Sequence, residues 1–87
     1  MKPEISIIIP AYNESERLGA PLKTILDFVV TSELNAELIV VDDGSGDDTV
    51  TVAINAFAAH PGVSSRVISY GANRGKGFAV KTGLLAA

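Results

Sequence analysis

The chain has 87 residues, 47% of them hydrophobic, no cysteine and a formal net charge of -3. That length suits one small domain, residues 1–87, burying about two-thirds of the surface its unfolded form exposes, and the apolar content is too high for disorder. The acidic balance argues against a nucleic-acid partner held by phosphate attraction. Without cysteine there is no disulfide framework or thiolate metal site, and no apolar run approaches the ~20 residues that span a bilayer.

Ile5-Ser6-Ile7-Ile8-Ile9 is the first predicted strand. Its isoleucines suit burial on both faces, and Pro10, which lacks a backbone donor, is expected to end the ladder. Ala11-Tyr12-Asn13-Glu14 then forms a loop at the strand's carboxyl end. Leu18, Leu22, Ile25, Leu26, Val29 and Val30 recur at helical spacing. Pro21 is tolerated only in a first turn, which places the first helix at about Ala20 to Ser32.

Asn35 and Ala36 lead into the second strand, Glu37 to Val41, whose short β-branched run fits a strand covered on both faces. It stops at Asp42 and Asp43 and the turn Gly44-Ser45-Gly46, with Asp47 or Asp48 expected to cap the next helix. Val50, Ala53, Ile54, Phe57 and Ala58 mark an apolar face from Asp48 to Ala59, and His60-Pro61-Gly62 ends it. His60 reads as a solvated C-terminal residue with no catalytic role. Arg66 to Tyr70 is a third strand, Gly71 to Gly77 a glycine-rich loop, and Phe78 to Ala87 a third helix.

The order β-α-β-α-β-α leaves connections long enough only for right-handed parallel crossovers. The predicted fold class is therefore α/β: half of a three-layer, Rossmann-like, doubly wound parallel sheet. Such sheets collect ligands at the carboxyl ends of their strands. Pro10 to Glu14, Asp42 to Ser45 and Gly71 to Gly77 then share one rim, where a nucleotide-type pocket is expected.

The glycine-rich loop is not a P-loop, which needs four residues between its first glycine and Gly-Lys; three separate Gly71 from Gly75-Lys76. A dinucleotide fingerprint would need glycine where Val80 stands. Arg74 and Lys76 near a helix N-terminus can form an anion site or belong to a solvated turn. An EF-hand-type calcium loop counted from Asp43 would want glutamate where Ile54 stands. Asp47 and Asp48 read as helix-capping acids. Asp42 and Asp43, as neighbours on a strand end, point to opposite sides, so one can hold the backbone while the other faces the cleft and accepts from a ribose hydroxyl or base N–H. Tyr12 beside Pro10 can pack on the rim or serve as a platform for a flat base. Glu14 is either a ligand group or an acid near a helix start.

With those residues in hand, the chain resembles the N-terminal part of glycosyltransferase family 2, the inverting nucleotide-sugar transferases of GT-A fold. The resemblance rests on ISIIIPAYNE (Ile5–Glu14), VVDDGS (Val40–Ser45) and NRGKG (Asn73–Gly77), in order and at the right spacing. The last segment, with Glu16-Arg17-Leu18, is most similar to the dolichyl- or polyprenyl-phosphate branch. It implies that Pro10, Tyr12 and Glu14 line the nucleotide site with Tyr12 against the base. Asp43 would contact base or ribose, flanked by Val41 and Asp42, and Arg74, Gly75 and Lys76 would lie near the nucleotide edge or diphosphate. The implied partners are a UDP- or GDP-linked sugar and a lipid-phosphate acceptor, at the cytoplasmic face of a membrane.

Family members also carry a later Asp-x-Asp, on a fourth strand, that holds Mg²⁺ or Mn²⁺, and a catalytic base further on. This chain stops at Leu84-Leu85-Ala86-Ala87, so the resemblance implies a truncated nucleotide-binding portion, with metal ligands and catalytic residues outside it. The first strand would then be an open edge, prone to self-association. Two rivals are a non-catalytic nucleotide-binding or assembly module and a metal-regulated phosphate-binding protein.

Overall fold

The computed structural model describes residues 3–87. Its elements run β1 (Ile5–Ala11), α1 (Gly19–Thr31), β2 (Ala36–Asp42), α2 (Thr49–Ala58), β3 (Ser64–Ser69) and α3 (Lys76–Ala86). The strands form one parallel sheet in the order β1-β2-β3, with Ile8 opposite Ile39 and Ile39 opposite Arg66. The α/β reading holds, with β2 central.

Strand alternation divides the core between two faces. On one, Leu38 and Val40 pack with Leu22, Leu26 and Val29 of α1 and Ala53 and Phe57 of α2. On the other, Ile39 and Val41 meet Ala79 of α3, with Ile8, Ile68 and Tyr70 around them. These four β2 side chains are fully buried, which is why β2 reads as a continuous β-branched run. α1 and α2 thus cover one face, while α3 crosses to the other and packs on β1 and β2. Gly83 permits that close docking: a Cβ there would strike the Ile8 side chain and stand 3.1 Å from Val41.

The chain departs from expectation at β1. Pro10 does not end the ladder; the strand runs on to Ala11, with Pro10 opposite Val41. The Ala11 carbonyl accepts the Asp43 N–H at 2.8 Å. Successive residues of a strand direct their polar groups to opposite sides, so those of Ala11 face β2 and the missing donor of Pro10 falls on the free edge, where it removes no hydrogen bond. The same edge position leaves Ile5 exposed and Ile7, Ile8 and Ile9 half-buried, not covered on both faces. β3 begins two residues before the predicted Arg66, and α3 two before Phe78.

α2 is not capped by the Asp48 side chain. Asp47 takes that work, accepting the Thr49 N–H at 3.0 Å and the Ser15 N–H at 3.3 Å. Nor is His60 a freely solvated residue. Its Nδ1 meets the Ala56 carbonyl at 3.0 Å and its Nε2 lies 2.8 Å from Asp27 of α1, which also pairs with Lys23 at 2.7 Å. The Ala56 carbonyl and the Asp27 carboxylate raise the His60 pKa, and through its two ring nitrogens the side chain ties the end of α2 to α1.

Candidate functional site: a cleft at the carboxyl rim of the sheet

The three strand ends converge. An open cleft of about 620 Å³ is lined by Pro10, Ala11, Tyr12 and Glu14 after β1, Asp43 after β2, and Asn73, Gly75, Lys76 and Ala79 around the start of α3. Tyr12, Asp43 and Lys76, well separated in sequence, share one concavity. Its position outside the carboxyl ends of the strands is where open parallel sheets bind ligands.

Cross-loop hydrogen bonds set the geometry. Asn13, at a left-handed φ of 51°, gives its N–H to Ser45 Oγ and takes the Gly46 N–H on Oδ1, each at 2.9 Å. The Glu14 N–H donates to Thr49 Oγ1 at 2.9 Å, and that hydroxyl donates to Asp47. Thr49 is fully buried and so fastens the β1 loop to the start of α2. The Thr49 hydroxyl lowers the Asp47 pKa to about 2, assisted by Ser15.

The two adjacent aspartates divide their roles. Asp42 turns inward: it accepts the Ser69 hydroxyl at 2.9 Å and the Ser45 N–H at 3.3 Å, holding the ends of β2 and β3 together. Asp43 borders the cleft yet is only 4% exposed. Its Oδ1 accepts the Tyr70 hydroxyl at 2.5 Å and the Arg74 N–H at 2.9 Å, and its Oδ2 accepts the Gly75 N–H at 2.9 Å. Tyr70, then these amides, keep its pKa below the usual carboxylate value. Burial, then the Asp43 carboxylate, raises the Tyr70 phenol to about 12. This carboxylate is an ionised anchor for the glycine-rich loop.

Two glycines make that anchoring possible. Gly44, at φ +75°, lies so close to the loop that a Cβ would stand 2.6 Å from the Ala72 carbonyl carbon and the Asn73 nitrogen. Gly75, at φ 93° and ψ 159°, occupies a region essentially reserved for glycine and starts α3 without a side-chain cap. The exposed N–H groups of that helix end favour anions, and Lys76 adds a cation that makes no ion pair among the described residues.

Of the residues singled out from sequence, Pro10, Tyr12, Glu14, Asp43, Gly75 and Lys76 line the cleft. Val41 is buried against α3, Asp42 is internal, and the Arg74 guanidinium lies 5.3 Å from the Phe78 ring centroid, outside the lining. Arg74 contributes its backbone N–H instead. The Glu14 carboxylate pairs with Arg17 at 2.8 Å. Asn73, within the rim loop and the NRGKG segment, also lines the cleft, whereas Thr49 and Tyr70 escape a sequence reading because each is placed by a contact between segments far apart in the chain.

A metal does not fit these residues. Among the described residues no group of three or more His, Asp or Glu side chains could hold one. Asp42 is turned inward onto Ser45 and Ser69, and Asp43 already accepts three internal donors, so the rim offers no set of free carboxylates.

The family model of glycosyl transferase family 2 matches residues 6–87, and the chain belongs to that family. It is 44% identical over 89 residues to a dolichyl-phosphate beta-glucosyltransferase of Drosophila melanogaster, covering 97% of this chain and 27% of the relative. Among solved structures it is similar to the Pyrobaculum calidifontis mannosyltransferase PcManGT in complex with GDP-Man and Mn²⁺. That match has a TM-score of 0.75 and 26% identity, covering all of this chain and 25% of the other. Glucosyl-3-phosphoglycerate synthase of Mycobacterium tuberculosis, in complex with UDP, matches with a TM-score of 0.63 and 30% identity, over 98% of this chain and 30% of that one. The chain spans about a quarter of the length of such relatives, and its β-α-β-α-β-α unit is the N-terminal part of their GT-A, Rossmann-like fold.

Proposed function

We propose that this chain forms the nucleotide-binding portion of an inverting transferase that moves a sugar from a UDP- or GDP-linked donor to a lipid phosphate. The convergence of Tyr12, Asp43 and Lys76 on one rim cleft carries the reading. Tyr12, 45% exposed, offers a ring face on which a base can stack. Asp43 offers a fixed carboxylate to a base N–H or ribose hydroxyl. Lys76 and the amides at the start of α3 face the diphosphate. Gly75, lacking a side chain, lets that group approach the backbone.

The dolichyl-phosphate acceptor named for the relatives supports the lipid-phosphate assignment and, with it, a place at the cytoplasmic face of a membrane; no described helix is long and apolar enough to cross one. The Mn²⁺ in the PcManGT complex supports a divalent ion in the complete enzyme. Such an ion offsets charge on the departing diphosphate, but the residues here do not hold it, and we assign them binding and orientation only. By themselves they turn over little or no sugar.

Calorimetric titration with UDP, GDP and their sugars tests the assignment. Tyr12→Ala and Lys76→Ala should each weaken binding about five- to tenfold, the range expected for one stacking or ionic contact. Nucleotide binding unaffected by either change would refute it.

The free side of β1 favours one further proposal, pairing of two copies along Ile5 to Ile9. Edge strands with unpaired backbone groups template such contacts, and Pro10 limits the pairing to the first part of the strand. Sedimentation at rising concentration should show dimers; a monodisperse monomer throughout would refute it.

A further inference from the structure

We propose that Tyr70 is a positioning residue of the cleft: its hydroxyl, with two loop amides, fixes the Asp43 carboxylate and leaves it a single acceptor position for ligand. The inference rests on the nucleotide reading above but has its own structural basis. An ionised carboxylate has about four acceptor positions. Tyr70 and the Arg74 N–H fill both on Oδ1, and the Gly75 N–H fills one on Oδ2. One position on Oδ2 remains, on a residue that borders the cleft.

Tyr70 is itself held. Its ring meets Phe78 edge-on, with centroids 5.3 Å apart and planes at 87°, and Phe78 lies beneath the Arg74 guanidinium. The end of β3, the loop and the first turn of α3 therefore lock into one unit around Asp43. A bidentate ligand edge needs both carboxylate oxygens, and Oδ1 is closed to it. Asp43 then suits a ligand offering one N–H, such as the imide of uracil, over the paired donors of guanine.

The test compares the wild-type chain with Tyr70→Phe, which keeps the ring on Phe78 and removes only the hydroxyl. Carbon NMR follows the Asp43 Cγ titration, and calorimetry measures UDP and GDP affinity. The Asp43 midpoint should rise in Tyr70→Phe, because the largest contact stabilising its anion is gone. UDP affinity should fall about five- to tenfold, as for one charge-assisted hydrogen bond, and any preference for UDP over GDP should narrow. An unchanged midpoint overturns the proposal. So does a shifted midpoint with unchanged UDP affinity, which would make Tyr70 a structural anchor alone. In the wild type the Tyr70 Cζ signal and the Arg74 and Gly75 amides should move at the Asp43 midpoint. A silent Tyr70 there refutes the contact even if the variant does not fold. Failure of the wild type to bind either nucleotide would instead refute the proposed function, with the NMR titration still deciding the role of Tyr70.

Discussion

Gly44→Ala probes how tightly the turn after β2 is bound to the glycine-rich loop. Two costs combine. A non-glycine residue at φ +75° occupies a left-handed conformation worth about 1–2 kcal/mol of strain. The new Cβ would also stand 2.6 Å from main-chain atoms of Ala72 and Asn73, where ordinary contact begins at 3.4 Å, so the loop must retreat by about 0.8 Å. Backbone atoms cannot swing aside as a flexible side chain can, and overpacking of this kind costs about 1–3 kcal/mol. The expected loss is about 2–5 kcal/mol. The same retreat would stretch the Arg74 and Gly75 hydrogen bonds to Asp43 beyond useful length, so nucleotide affinity should fall as well. Urea unfolding monitored by circular dichroism measures the first effect and calorimetry the second. A variant within about 0.5 kcal/mol of wild type, the range of ordinary surface substitutions, would show that this contact does not constrain the fold.

Leu38→Ala, at a fully buried position of the central strand, should cost about 2–5 kcal/mol in the same urea assay. Gly83→Ala should destabilise by about 1–3 kcal/mol despite its better helix propensity, because its methyl would strike Ile8 under α3. His60→Ala tests the α1–α2 tie through pH. The folded pKa of His60 lies above 6.5 and that of Asp27 below 3.8. The proton-linked stability that His60 adds is therefore present below 6.5 while Asp27 stays ionised, fades as pH rises through the folded His60 value, and is lost at the acid end as Asp27 protonates. The stability gap between wild type and variant should be wider at pH 6 than above that midpoint; a constant gap would refute the ionic tie.

Much of this was legible because it depends on local pattern. The β-branched run before Asp42 announces a strand covered on both faces, and the opposed directions of Asp42 and Asp43 follow from strand geometry alone. The convergence of three loops follows from parallel topology. Pro10 was misplaced because its tolerance depends on which side of β1 lacks a neighbour, a property of strand order. Asp47, not Asp48, serves α2 because Ser15 and Thr49 gather around it from both sides. Tyr70 carried no local signal at all: its hydroxyl matters only through an aspartate 27 residues away. His60 likewise meets Asp27 across 33 residues, which no helix-end rule anticipates.

The central claim is that the carboxyl rim of this sheet is a nucleotide site, and amide NMR during titration with UDP and GDP tests it most directly. The account predicts that shifts concentrate on Tyr12, Glu14, Asn73, Gly75 and Lys76, with the Ser15–Arg17 side and the far ends of the helices quiet. Saturable binding that instead moves residues on the opposite rim, or no shifts at all at millimolar nucleotide, would contradict it.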